Sequence, residues 1–158
     1  AGTSRLLAAL TRAKPKIAHY PFPTINPNLG VTYYDGKEIT LADIPGLVEG
    51  AHKGIGLGDK FLRHIERCKM LLHLIDLSEK DLINIYKKIK LELSAYDKSL
   101  GKKKEIVLFN KSDLLEKDFT KKKLKEFKNK IKTKCEVISV FSNKDIQKVK
   151  KLLIKNVN

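Results

Sequence analysis

Asp43-Ile44-Pro45-Gly46-Leu47-Val48-Glu49-Gly50-Ala51-His52, followed by Gly54, Gly56 and Gly58, is the stretch on which the fold turns. It follows a strand-like segment, Ile39-Thr40-Leu41-Ala42, and leads into a helix-like run from Lys60 to Lys69. A carboxylate therefore stands at a strand end, ahead of a Pro-Gly turn and a glycine-dense loop. Asp43 is suited to hold a divalent cation through water, and Gly46 lets a backbone N–H approach a terminal phosphate. Aspartate, two residues and glycine also make an ordinary turn, so the weight of this match depends on what lies at matching distances.

Glu105-Ile106-Val107-Leu108-Phe109 reads as a buried strand, with Asn110-Lys111-Ser112-Asp113 at its C-terminal end. A carboxylate there can accept both guanine donors, N1–H and the exocyclic amine, whereas adenine offers no such pair. Asp113 would then select guanine, Asn110 would tie loops together, and the stem of Lys111 would lie along the base. An Asn/Asp-rich turn after a strand is common; joined to the Asp43 turn upstream, it points to a guanine nucleotide-binding protein. A third strand, Cys135-Glu136-Val137-Ile138, leads into Ser139-Val140-Phe141, whose amides would face the guanine carbonyl oxygen.

The phosphate end is less regular. A phosphate loop reads G-x-x-x-x-G-K-[ST], its amides cradling phosphates, its lysine on the terminal phosphates and its hydroxyl on Mg²⁺. The chain opens Ala1-Gly2-Thr3-Ser4, followed by a helical run from Arg5 to Lys14. Gly2 and Ser4 fit the last glycine and the hydroxyl, and Thr3 takes the lysine position. Thr24 lies in the loop Tyr20-Pro21-Phe22-Pro23-Thr24-Ile25-Asn26-Pro27-Asn28-Leu29-Gly30. A threonine in this interval suits the second Mg²⁺ hydroxyl, ordered by the γ-phosphate; a proline-rich connection is the other reading of the same loop. The expected nucleotide contacts are Gly2, Thr3, Ser4, Phe22, Pro23, Thr24, Asp43, Ile44, Pro45, Gly46, Asn110, Lys111, Ser112, Asp113, Ser139, Val140 and Phe141, with Ser4 and Thr24 on Mg²⁺.

Lys14-Pro15-Lys16-Ile17-Ala18-His19-Tyr20-Pro21-Phe22, Pro27-Asn28-Leu29-Gly30-Val31 and the stretch from Ala42 to Arg67 resemble the guanine-nucleotide domain of the Obg family of bacterial GTPases. Phe61-Leu62-Arg63-His64-Ile65-Glu66-Arg67 belongs to the most specific part of the match. Leu71-Leu72-His73-Leu74-Ile75-Asp76 and Asn110 to Asp113 continue it, and after Asp113 the similarity is generic. The resemblance implies an α/β, Ras-like P-loop GTPase fold, a three-layer sandwich with a mostly parallel sheet and helices on both faces. It also implies GTP and GDP as ligands, Mg²⁺, and a cytoplasmic, monomeric switch in assembly of the large ribosomal subunit, touching that subunit or its rRNA.

Two departures from the family pattern stand out: Thr3 for the phosphate-loop lysine, and Pro23 where a second threonine is usual. The central strand that leads into the phosphate loop would precede Ala1. Without it, neighbouring strands would expose backbone groups at about 1–3 kcal/mol each. Residues 1–158 are therefore expected to be a single guanine-nucleotide domain cut from a longer chain, without the family's flanking domains. No catalytic residue is assigned. Leu47 follows Gly46, where many GTPases carry a water-orienting glutamine, so intrinsic GTP hydrolysis should be slow. The alternative is a degenerate domain, a nucleotide- or rRNA-binding module without significant hydrolysis, because threonine lacks the cation that neutralises terminal phosphates.

Composition agrees with one globular domain: 158 residues, 42% hydrophobic and 32% charged. No apolar run is long enough to span a bilayer. Cys68 and Cys135 lack metal-type spacing and read as reduced thiols, and His19, His52, His64 and His73 form no HExxH-like pattern. The net charge of +15 divides into +3 for residues 1–78 and +12 for residues 79–158. Of the 33 basic residues, 29 are lysine, which favours a solvated surface or diffuse rRNA attraction over forked, stacked arginine contacts.

The element pattern predicts helix Ser4–Ala13, a hairpin of Val31–Tyr34 and Glu38–Ala42 turned at Asp35-Gly36, and helix Lys60–Cys68. Strand Met70–Ile75 follows, then helix Asp81–Asp97 with Leu82, Ile85, Ile89, Leu93 and Tyr96 on one face. Strand Ile106–Phe109, a helix around Lys121–Ile131, strand Val137–Val140 and a helix around Asp145–Ile154 complete the order. Strands alternating with helices predict a mostly parallel sheet covered on both sides.

Overall fold

The computed structural model describes residues 3–11, 29–42, 68–96 and 98–157, which fall into two compact units. One holds the described residues 68–139. Within it, strands β3 (Leu71–Asp76), β4 (Glu105–Asn110) and β5 (Lys134–Val137) form a parallel sheet in the order β3-β4-β5. Helix α2 (Leu82–Tyr96) and the short α3 (Lys98–Gly101) join β3 to β4, and α4 (Lys117–Lys130) joins β4 to β5.

The central strand explains the apolar run. Ile106, Val107, Leu108 and Phe109 are all buried, because a parallel strand flanked on both sides cannot alternate between core and water. Ile75, Val107, Phe109 and Cys135 meet Leu82 and Tyr86 of α2 and Phe127 of α4 in one cluster. Phe127 stands edge-on to Phe109, ring centres 4.8 Å apart, and to Tyr86 at 5.5 Å. α4 is otherwise so lysine-rich that Phe127 is its only buried residue. Leu124, partly buried, packs against the same cluster, so α4 docks through a narrow apolar face.

Helix α2 departs from the expected face. Leu82 and Leu93 are buried as the 3.6-residue period predicts, and Tyr86, outside the expected face, joins them; Leu91, also outside it, is 68% exposed. Tyr86 is recruited because its hydroxyl has a partner inside: it donates to Glu105 Oε1. Lys90 Nζ pairs with the same oxygen at 3.3 Å, and His73 stacks on the Tyr86 ring at 5.6 Å. Burial pushes Tyr86 upward, reinforced by the Glu105 bond.

Burial likewise pulls His73 below its usual 6.5; Glu105 opposes this shift and Lys90 adds to it. The unfolded chain therefore takes up this proton more readily than the folded one, and stability should decline as pH falls below about 6.5. His73→Phe should flatten that part of a pH series of urea midpoints. An unchanged slope would mean that His73 charges in the folded state without cost.

The second unit holds the described residues 3–11, 29–42 and 140–157. Helix α1 (Thr3–Thr11) buries Leu6, Leu7 and Leu10. Strands β1 (Leu29–Tyr34) and β2 (Lys37–Ala42) pair antiparallel, with Tyr34 opposite Lys37. The turn lies where the sequence predicts, both central residues having positive φ, 52° at Asp35 and 75° at Gly36, as a two-residue hairpin requires. Thr32 Oγ1 donates to Leu10 O at 2.8 Å and fastens hairpin to helix. Gly30 permits that approach, since a Cβ there would lie 2.3 Å from Thr11 Cγ2. Helix α5 (Asn143–Val157) buries Ile146, Val149 and Leu153 at helical spacing, with the stem of Lys150 among them.

Some boundaries move. Helix α1 starts one residue before the expected Ser4, and residues 12 and 13 lie outside the described set. So does the expected helix Lys60–Cys68, except Cys68, which is a bend. The third parallel strand runs Lys134–Val137 and does not reach Val140. Ile138 N–H still donates to Phe109 O at 2.8 Å, the bond that closes the parallel ladder one residue beyond the strand. Neither Cys68 nor Cys135 forms a disulfide among the described residues.

Candidate functional site

The C-terminal edge of the parallel sheet gathers the polar residues. Register sets Asp76, the last residue of β3, beside Asn110, the last of β4. Leu77 N–H donates to Asn110 O at 2.9 Å, and Ser112 N–H donates to Ile138 O at 3.2 Å. With the Ile138–Phe109 bond, these contacts clamp the three strand ends to one another. Asn110 is 1% exposed and acts within the protein.

Lys111 then reverses the chain in the left-handed region, φ 69° and ψ 33°, at a cost of roughly 1–2 kcal/mol for a residue with a Cβ. The following 3₁₀ turn, Ser112–Leu114, is closed by Leu114 N–H on Lys111 O at 3.1 Å. This reversal sets Asp113 on the surface while Asn110 remains inside. Ser139, itself buried, donates its hydroxyl to Asp113 Oδ1 at 2.9 Å. One lone pair of the carboxylate is thereby used, and the others are available to a ligand.

On the other side, Lys111 Nζ donates to Asp76 Oδ2 at 2.7 Å. Asp76 Oδ1 accepts Ser78 N–H at 2.9 Å and Ser78 Oγ at 2.6 Å. Burial alone would raise this carboxyl; the hydrogen bonds from Lys111 and Ser78, with the lysine charge, outweigh it and hold it at about 2.

Of the expected contacts, the structure brings Asn110, Lys111, Ser112, Asp113 and Ser139 together. Val140 and Phe141 form the turn ahead of α5 in the second unit, with Phe141 73% exposed. Thr3 and Ser4 occupy the first turn of α1; their side chains, and Gly2, Phe22, Pro23, Thr24, Asp43, Ile44, Pro45 and Gly46, lie outside the described residues. Asp76 and Ser78 were not among the expected contacts. The available cue was a carboxylate at a strand end, matched in register to Asn110, with a serine two residues on.

Among the described residues no cluster of three or more His, Cys, Asp or Glu side chains could hold a metal. The expected Mg²⁺ donors are instead two hydroxyls, of Ser4 in the first turn of α1 and of Thr24. An oxygen-only donor set suits that hard cation.

Residues 1–111 match the family described as "50S ribosome-binding GTPase". GTPase Obg of Pelagibacter ubique is 54% identical over all 158 residues, and that of Rickettsia felis is 48% identical over 157. The chain spans 48% of each, about half the length of the curated relatives it matches. Among solved structures, the cytosolic domain of the T. maritima FeoB iron transporter aligns with a TM-score of 0.71 at 20% identity, covering 99% of this chain and 60% of that one. Era of Aquifex aeolicus bound to GDP and AlF4⁻ aligns at 0.72 and 22%, covering 99% and 53%. At such identities the likeness establishes the fold, the α/β P-loop GTPase fold expected from the sequence. The chain belongs to the 50S ribosome-binding GTPase family, and its whole length is similar to GTPase Obg.

Proposed function

We propose that this chain binds GTP and GDP and hydrolyses GTP slowly, as a Mg²⁺-dependent, cytoplasmic, monomeric switch in assembly of the large ribosomal subunit. The observation that carries the reading is Asp113: a surface carboxylate fixed by Ser139 beside the buried Asn110 and the reversed Lys111. Asp113 accepts the two guanine donors, and the stem of Lys111 supports the face of the base. Ser112 and Ser139, which lie in the same unit, border the base.

At the phosphate end, Gly2 and Thr3 offer backbone amides, and the N-terminus of α1 favours an anion. Phe22 and Pro23 border the nucleotide beside Thr24. Asp43, Ile44, Pro45 and Gly46 sense the γ-phosphate. The Ser4 and Thr24 hydroxyls would hold Mg²⁺, which would supply positive charge beside the terminal phosphates. Leu47 cannot orient a water, so turnover is slow until a partner supplies that group. The partner reading rests on α4, whose Lys117, Lys121, Lys122, Lys125, Lys128 and Lys130 are all exposed. Such a helix attracts rRNA through counterion release and should lose affinity steeply with salt.

Phosphate release from GTP and hydrogen exchange test the switch together. Slow, Mg²⁺-dependent release is expected, and residues 24 and 46–58 should exchange more slowly with a non-hydrolysable GTP analogue than with GDP. Binding without turnover, and equal exchange in both states, would favour the alternative of a degenerate binding module.

A further inference from the structure

We infer that Asp76 is a positioning residue for guanine-nucleotide binding, acting through Lys111; the inference rests on the nucleotide reading above. The Lys111 ammonium lies 2.7 Å from Asp76 Oδ2, in a pair whose carboxylate side chain is 16% exposed and whose lysine is 40% exposed. A lysine stem is flexible, and a base gains little from a platform that must first be ordered. Anchoring the ammonium at one end, with the backbone set at the other by the left-handed turn, fixes the path of the four-carbon stem. The charge of Lys111 is met by Asp76, which makes this side chain an apolar platform for the base and leaves it poorly suited to stand in for the phosphate-loop lysine that Thr3 replaces.

Asp76 is itself held from two sides. Its second oxygen takes both Ser78 donors. The loop that carries Ser78 is strapped to α4 by Lys123 Nζ, which donates to Leu77 O at 2.9 Å and Glu79 O at 2.7 Å. The carboxylate is therefore oriented before any ligand arrives.

Fluorescence titration with mant-GDP tests this on wild type, Asp76→Asn, Lys111→Met, the double variant and Ser78→Ala, each checked for folding by circular dichroism. Asp76→Asn should weaken binding about tenfold, the loss of one charge-assisted contact. In the Lys111→Met background the same change should cost less than about twofold, because the group through which Asp76 acts is gone. Ser78→Ala, which keeps the Lys111 pair, should stay within about twofold of wild type. A role confined to knitting the loop would multiply with Lys111→Met and would be reproduced by Ser78→Ala; either result overturns the assignment. So does an Asp76→Asn protein that binds like wild type. Wild type that fails to bind mant-GDP overturns the nucleotide reading instead.

Discussion

Asp113→Asn should weaken GDP binding by roughly 10²–10⁴-fold and turn the preference toward xanthosine diphosphate. The carboxylate accepts two donors from guanine, each charge-assisted contact being worth about 1.5–3 kcal/mol. The Ser139 hydroxyl decides what the asparagine does next. It donates to Oδ1, so it would keep the amide oxygen and leave the Nδ2 donors for the ligand. Those donors oppose guanine's exocyclic amine and match the carbonyl that xanthine carries there. ADP, with no donor pair for Asp113, should compete with GDP only at far higher concentration in wild type. Competition of unlabelled GDP, ADP and xanthosine diphosphate against mant-GDP reads all three comparisons. Equal competition by ADP and GDP would remove guanine recognition from Asp113 and with it the main support for the functional reading.

The largest expected loss of stability is at Phe127→Ala, about 3–5 kcal/mol. Phe127 is fully buried and stands edge-on to both Phe109 and Tyr86. It is the one fully buried residue of α4, with Leu124 partly buried against the same cluster. Against a total stability of ~5–15 kcal/mol such a loss would be large. Leu91→Ala, at a position 68% exposed, should change stability by no more than about 0.5 kcal/mol. Urea unfolding monitored by circular dichroism separates the two. Similar midpoints for both variants would mean that α4 docks by other contacts. Because Phe109 leads directly into Asn110, the Phe127→Ala protein should also release mant-GDP faster.

The periodic elements were readable because their causes are local. The β4 run from Ile106 to Phe109 is apolar without alternation, and a two-sided strand is the structure that accommodates it. The Asp35-Gly36 turn carries its own conformational requirement. Helix α4 was harder to read, since a single buried aromatic gives no period and its start at Lys117 precedes the expected Lys121. Tyr86 escaped the helical face because its burial depends on Glu105, nineteen residues away.

At the site the same division holds. Asn110, Lys111 and Asp113 were legible as a motif at a strand end, where residue type and spacing state the chemistry. That spacing could not say which side chains meet across strands. The pairing of Asp76 with Lys111 depends on the β3–β4 register, and the bond from Ser139 to Asp113 depends on the β4–β5 register, which ties Ile138 N–H to Phe109 O and so brings the next residue beside the Asp113 turn. The sequence by itself determined the family, the strand–helix order and the residue types at the base-binding end, because motifs and hydrophobic period are properties of neighbouring residues. Only the tertiary structure decided the partners and orientation of those residues, because hydrogen bonds between residues 26 to 35 positions apart exist only once the parallel sheet has set its register.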